Sequence, residues 1–194
     1  MKQLLVMTVV LATAILVAAG PAHADDRRCS GTIGARSIDG NVIVPRGTTC
    51  RLNGTRVDDN VFVRAGARLI ARGVRIGGNI QADDHQLVRV IRREVDGRLV
   101  RSRIGADIQL VSGRLSEIRR AVIGGNLQSK QNNRQQYAVR NRIDGDLQAF
   151  SNRNGYRIHR NVIGGNLQCK SNSPRPTGDH NRVEGNKEDQ CRHM

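Results

Sequence analysis

Six arginines lie close together in one short stretch of the sequence, and they are the residues whose type and spacing most directly suggest a chemistry. These are Arg89, Arg92, Arg93, Arg98, Arg101 and Arg103. Guanidinium groups bind carboxylates and phosphates through paired, charge-assisted hydrogen bonds. The stretch therefore predicts a binding site for an acidic polysaccharide or another anionic cell-surface polymer. The alternative interpretation is a longer loop with a solvated, charged face.

Catalytic and metal-binding patterns are weak by comparison. Asp83, Asp84 and His85 form the densest polar cluster, but adjacent aspartates are common in turns for structural reasons. His159 is isolated within a regular repeat. No phosphate-binding loop, serine elbow or metal-ligand spacing occurs. We therefore predict no catalytic residue, no metal site and no cofactor, and retain a polysaccharide lyase or hydrolase with a shallow groove as the alternative function.

An internal repeat centred on one Asn or Asp determines which elements hold these residues. These anchor residues recur every 19 or 20 positions, apart from one step of 28. The anchors are Asn41, Asn60, Asn79, Asp107, Asn126, Asp146, Asn166 and Asn186. Val or Ile stands three residues before each anchor, and apolar and polar residues alternate after most of them, as in a half-buried strand. The repeat predicts an all-β chain that forms a single-stranded right-handed parallel β-helix of about eight coils.

The residues at the repeat corners predict how the coils stack. Gly-Gly-Asn, Asp-Gly-Asn or Asp-Gly-Asp precedes most strands, and we attribute the glycines to a sharp corner that needs positive φ. Stacked coils also align equal positions, so asparagines that recur at two other phases predict amide ladders inside the corners. These are Asn132, Asn152 and Asn172, and Asn141, Asn161 and Asn181. The scarcity of aromatic residues agrees with an interior too narrow to hold them.

The four cysteines test the same stacking. Cys29 and Cys50 are one coil apart, as are Cys169 and Cys191, and equal positions in adjacent coils lie near 5 Å, within reach of a disulfide. The spacing predicts the pairs Cys29–Cys50 and Cys169–Cys191. Zinc ligation is the alternative, although no paired Cys-x-x-Cys spacing supports it.

The N-terminal region predicts export. Lys2 precedes an apolar stretch, and Ala22-His23-Ala24 follows as a small-x-small cleavage pattern, so residues 1–24 are interpreted as a signal peptide. Residues 25–194 then form the solenoid domain, with a basic insert at 87–103 and a disulfide-linked C-terminal cap at 169–194. We expect a secreted or periplasmic protein without a stable membrane span. The oligomeric state does not follow from the sequence.

The formal net charge of +15 favours acidic partners. Nucleic acid is disfavoured as a partner, because aromatic residues for base stacking are nearly absent. An acidic glycan or cell-surface polymer is the expected partner. The sequence thus predicts a noncatalytic extracytoplasmic structural or adhesive protein.

Two resemblances accompany this interpretation. The repeat resembles the coils of bactofilin-type polymer-forming proteins, which are short, glycine-rich and noncatalytic, although those proteins lack an export signal and disulfides. The C-terminal segment GGNLQCKSNSPRPTGDHNRVEGNKEDQC is similar to the closing segment of a group of secreted bacterial β-helix repeat proteins. That group has no assigned activity, so the resemblance implies a fold and a location rather than a mechanism.

Overall fold

The protein is a β-solenoid of about eight coils. The structure is a computed structural model that describes residues 26–194. Three parallel sheets, here named A, B and C, form its walls, and no helix occurs between residues 26 and 194. Each regular coil passes through C, then A, then B, so that three corners separate the walls. The all-β solenoid predicted from the repeat is confirmed.

Short strands build each wall. Sheet A contains Arg27–Arg28, Val42–Val44, Val61–Val63, Ile80–Asp83, Ile108–Val111, Leu127–Lys130, Leu147–Phe150, Leu167–Lys170 and Lys187–Asp189. Sheet B contains Thr32–Ile33, Thr49–Asn53, Arg68–Arg72, Leu87–Ile91, Leu115–Arg119, Gln136–Val139 and Tyr156–His159. Sheet C contains Ser37–Ile38, Arg56–Val57, Arg75–Ile76, Arg103–Ile104, Val122–Ile123, Arg142–Ile143, Val162–Ile163 and Arg182–Val183.

Equal positions of successive coils lie opposite each other. Leu127, Leu147 and Leu167 stack in sheet A, and the register continues across the 28-residue step, where Ile80 lies opposite Ile108. These inward side chains are fully buried. The interior consists mostly of Val, Ile, Leu and Ala, with one difference from expectation. Tyr156 is also buried, and its hydroxyl lies near the small side chain of Ser129.

Side-chain ladders run along all three corners. At the corner between C and A, the backbone N–H of each anchor after Asn41 donates to Oδ1 of the anchor one coil earlier, at 2.6–3.0 Å. The other two corners hold the predicted asparagine ladders, which are buried. Asn132 N–H donates to Asn152 Oδ1, and Asn141 N–H donates to Asn161 Oδ1. These ladders satisfy backbone groups that would otherwise be buried without partners.

Most glycines before the anchors have a different cause from the one predicted, although Gly40 does adopt a positive φ of 142°. Gly78 and Gly145 do not adopt a positive φ. A Cβ atom on either one would stand 2.5 Å from the amide oxygen of a stacked anchor, Asn60 or Asn126 respectively. Close approach between coils therefore requires glycine here, whereas left-handed backbone occurs mainly at the other two corners.

Two disulfides link neighbouring coils in the predicted pairs. Cys29 is bonded to Cys50 and Cys169 to Cys191, with Cα–Cα distances of 5.4 and 5.3 Å. No cysteine is left for the alternative of zinc ligation. Disulfides are typical of an oxidising, extracellular environment. Within residues 26–194 no helix has the length and hydropathy to cross a membrane, and the predicted signal peptide lies outside the described residues.

The insertion is shorter than the sequence suggested. Leu87–Ile91 pairs in register with sheet B strands on both sides, and Arg103–Ile104 does the same in sheet C. The nine extra residues are therefore 93–101, a shorter segment than the predicted insert 87–103. Within them, Arg93–Val95 and Arg98–Val100 form an antiparallel hairpin, closed by Asp96 and Gly97, which both have positive φ.

Candidate anion-binding surface

The three walls of the solenoid differ in charge. The central outward column of sheet A contains mainly glutamines. Along it, Gln128 donates a hydrogen bond to Gln148 at 3.1 Å, and Gln148 donates one to Gln168 at 3.0 Å. Arginines on sheet C are partly neutralised, since Arg56 pairs with Asp58 and Arg142 with Asp144. Sheet B and its two borders are the most basic part of the surface.

The outward face of sheet B carries far more positive than negative charge. Its outward arginines are Arg51, Arg68, Arg72, Arg89, Arg119 and Arg157. Glu117 is the one acidic residue within the strands of this sheet. It accepts hydrogen bonds from Arg89 at 2.9 and 3.2 Å, while the guanidinium of Arg119 lies 4.4 Å from the ring centre of Tyr137.

A column of arginines occupies the corner between sheets B and C. Arg120 N–H donates to the Val139 carbonyl oxygen, and Arg140 N–H donates to that of His159, so each residue takes the same place in successive coils. Arg160 continues the column. Arg92 and Arg101, at the base of the hairpin, lie close enough for their charges to act on Arg120. These five residues are called the arginine ridge.

The backbone of the ridge is strained. Arg120, Arg140 and Arg160 have φ values of 54°, 57° and 53°, in the left-handed region. Two earlier coils use Gly54 and Gly73 in left-handed conformations at this corner. A residue with a Cβ costs roughly 1–2 kcal/mol more there than glycine would. The same left-handed φ occurs at the corner between A and B, for example at Gln131 and Ser151, so the conformation belongs to the corner geometry. The feature particular to this corner is that three successive coils place an arginine there.

Electrostatics also disfavours the ridge in isolation. Like charges stacked at the 5 Å spacing of the coils repel by about 0.8 kcal/mol per pair in water. Partial burial lowers the pKa of Arg120, and the positive charges of Arg92, Arg140 and Arg101 lower it further. Among residues 26–194, no carboxylate forms an ion pair with any arginine of the ridge. An anionic ligand would relieve this repulsion.

A groove opens at the opposite border of sheet B, at the corner with sheet A. It encloses about 400 Å³. Leu87 and Leu115 give it an apolar lining, and Gln86 and Gln135 contribute amides. Three exposed arginines complete the lining: Arg68, Arg114 and Arg134. Positive charge therefore lies along both borders of sheet B, and an anionic chain crossing this wall would meet guanidinium groups at each side.

The structure separates the six predicted anion-binding arginines. Arg92 and Arg101 belong to the ridge, and Arg98 is exposed near the hairpin tip. Arg103 points outward from sheet C, stacked on Arg75.

Two of the six have other partners. Arg89 is paired with Glu117. Arg93 packs across Gly54 and Gly73 and donates to the Asn53 carbonyl oxygen at 3.3 Å, which fastens the hairpin to earlier coils. The pattern missed Arg120, Arg140 and Arg160, although their regular spacing of 20 residues was visible.

The cluster of Asp83, Asp84 and His85 does not form a site. The two carboxylates are exposed, whereas the imidazole is fully buried beside Gly113, and neither ring nitrogen has a hydrogen-bond partner. Burial lowers the pKa of His85 to about 4, and the nearby backbone of Ala82 and the charges of Asp84 and Asp83 only partly oppose this shift. His85 is therefore a neutral interior residue at neutral pH.

No protein-family model, no curated protein and no solved structure matches this chain. The chemistry of its own surface is therefore the basis for a functional proposal.

Proposed function

We propose that the protein is a noncatalytic extracytoplasmic β-solenoid, with a structural or adhesive role, that binds an acidic polysaccharide along the arginine ridge. The observation that carries this proposal is the ridge itself. The positive charges of Arg92, Arg101 and Arg140 act on Arg120, and Arg160 continues the same column one coil further on. Among residues 26–194 none of these arginines has a carboxylate partner. The resulting repulsion costs free energy in the unbound protein, and an anionic ligand would relieve it.

The shape of the surface favours a polymer over a small anion. Ridge positions repeat at the coil spacing of about 4.8 Å, along a straight rigid corner. A polyuronate presents carboxylates at regular intervals and can contact several arginines at once. Multiple weak contacts on one chain add through effective concentration, so modest individual ion pairs yield useful affinity.

The extracytoplasmic location rests on two observations. The two disulfides fit an oxidising compartment, and residues 1–24 have the pattern of a signal peptide. Acidic polysaccharides are abundant at cell surfaces, so the location and the proposed ligand agree.

Neutralising the ridge tests the proposal. We expect the triple variant R120N/R140N/R160N to bind polygalacturonate roughly threefold to a hundredfold more weakly, because each of three exposed ion pairs contributes about 0.2–1 kcal/mol. Asparagine tolerates the left-handed backbone, so the fold is expected to remain intact. Biolayer interferometry at low and moderate salt gives the affinities, and salt is expected to weaken the wild-type complex.

A matched control has the same change in charge on another wall. Arg28, Lys130 and Lys170 are exposed on sheet A, and R28Q/K130Q/K170Q removes three positive charges there. If this variant loses as much affinity as the ridge variant, binding depends only on net charge and the proposed site is wrong. Steady release of sugar products would instead support the lyase or hydrolase alternative.

A further inference from the structure

A second cluster of functional side chains lies near the C-terminal end of the solenoid. His159 ends the strand Tyr156–His159 of sheet B, and Asp179 and His180 follow one coil later. The side chain of His159 is 17% exposed, whereas those of Asp179 and His180 are 62% and 67% exposed. The cluster is therefore anchored on one side and open to solvent on the other.

Both imidazoles point to the same carboxylate. Nδ1 of His180 lies 3.1 Å from Oδ1 of Asp179, and Nδ1 of His159 also contacts this oxygen. One donor atom from each of the three side chains lies within 4.8 Å of the other two. The ring centres are 6.0 Å apart and the ring planes are nearly perpendicular. Two imidazole nitrogens and one carboxylate oxygen, all atoms that can ligate a metal ion, therefore lie close together.

The backbone holds both halves of the cluster in place. Arg160 N–H donates to the Asp179 carbonyl oxygen at 3.0 Å, and Asn161 N–H donates to Asn181 Oδ1 at 3.0 Å. The Asn181 amide in turn donates to the Ile158 carbonyl oxygen at 2.9 Å. The residues on either side of the cluster are therefore fixed by the corner ladder, which reduces the ordering cost of binding.

We propose that His159, Asp179 and His180 bind a divalent transition metal ion of the zinc type, with water at the remaining positions. Two imidazoles and one carboxylate are a common ligand set for Zn²⁺ sites that keep an open position. The chain offers no competing thiolate, because all four cysteines are in disulfides. The exposure of two of the three ligands makes micromolar affinity the expected range.

The contacts between the Asp179 carboxylate and the two imidazoles provide a resting arrangement that the metal would replace.

Isothermal titration of ZnCl₂ into the purified protein at pH 7.5 tests the proposal. We expect one Zn²⁺ per chain, and at least tenfold weaker binding in Asp179→Asn and in His159→Ala. Asp179→Asn keeps the size of an exposed side chain, so loss of folding is not expected to account for its effect. His193→Ala removes an exposed histidine outside the cluster and should leave the affinity unchanged.

Cobalt gives an independent readout. Co²⁺ bound by two nitrogens and one carboxylate is expected to show visible absorption bands that differ from those of the hydrated ion and disappear in Asp179→Asn. The assignment is overturned if wild-type protein binds no Zn²⁺. It is also overturned if Asp179→Asn binds Zn²⁺ as tightly as wild type, or if His193→Ala abolishes binding.

Discussion

Replacing Asn152 with leucine is expected to lower the free energy of unfolding by about 4 kcal/mol, because buried backbone groups lose their partners. The Asn152 side chain accepts hydrogen bonds from Asn132 N–H and from the Ser129 hydroxyl, and it donates to the Ser129 carbonyl oxygen and to Asn172. It is 1% exposed, so water does not replace these bonds. Urea unfolding followed by circular dichroism measures the loss.

The same coil provides a control for this prediction. Gln148 also belongs to an amide column, in which it accepts from Gln128 and donates to Gln168, but this column lies on the outer face of sheet A. Water can satisfy its neighbours when it is removed, so Gln148→Ala should cost less than about 1 kcal/mol. Equal losses in the two variants would show that burial is not what makes the inner ladder important.

Acidification from pH 7 to pH 4 is expected to remove about 3 kcal/mol of stability through His85 alone. Burial lowers its folded-state pKa to about 4, whereas an unfolded histidine has a pKa near 6.5. Between these values the unfolded chain binds more protons than the folded chain. The contribution of His85 is therefore fully present above about pH 6.5 and is lost as pH falls towards 4.

The variant His85→Leu isolates this contribution. Leucine fills an interior position without a titrating group, and it removes two ring nitrogens that have no hydrogen-bond partner. Unfolding free energies of both proteins at pH 7, 6, 5 and 4 give the difference curve. We expect the variant to lose about 3 kcal/mol less than wild type across this range. If the unfolding free energies of the two proteins fell in parallel with pH, His85 would not have the lowered folded-state pKa on which this prediction depends.

The stacking of the coils could be predicted from the sequence because equal positions of successive coils carry the same type of residue. Branched apolar residues before the anchor face inward in every coil, and the amide ladders follow from equal phases. The disulfide pairs depend on the same spacing. The role of most corner glycines was predicted incorrectly, because a contact with the neighbouring coil, such as that of Gly78 with Asn60, cannot be seen in the sequence of one coil alone.

The site was harder to predict because it depends on which residues become neighbours across coils. Arg89 was expected to bind anions, but Glu117 lies beside it in the next coil and neutralises it. Arg120 lies beyond the basic stretch in sequence, yet it adjoins Arg92 and Arg101 in space. Its left-handed φ could not be inferred, since arginine does not favour that conformation. His159 and Asp179 are 20 residues apart, which is the length of one coil, and this spacing could have indicated that they are neighbours in space.

The footprint of polygalacturonate on the backbone amides, measured by NMR, tests the central claim most directly. If the arginine ridge is the binding surface, titration should shift the amide signals of Arg120, Arg140 and Arg160 and leave those of the glutamine column of sheet A in place. Shifts spread evenly over all three walls, or concentrated on sheet A, would contradict the account.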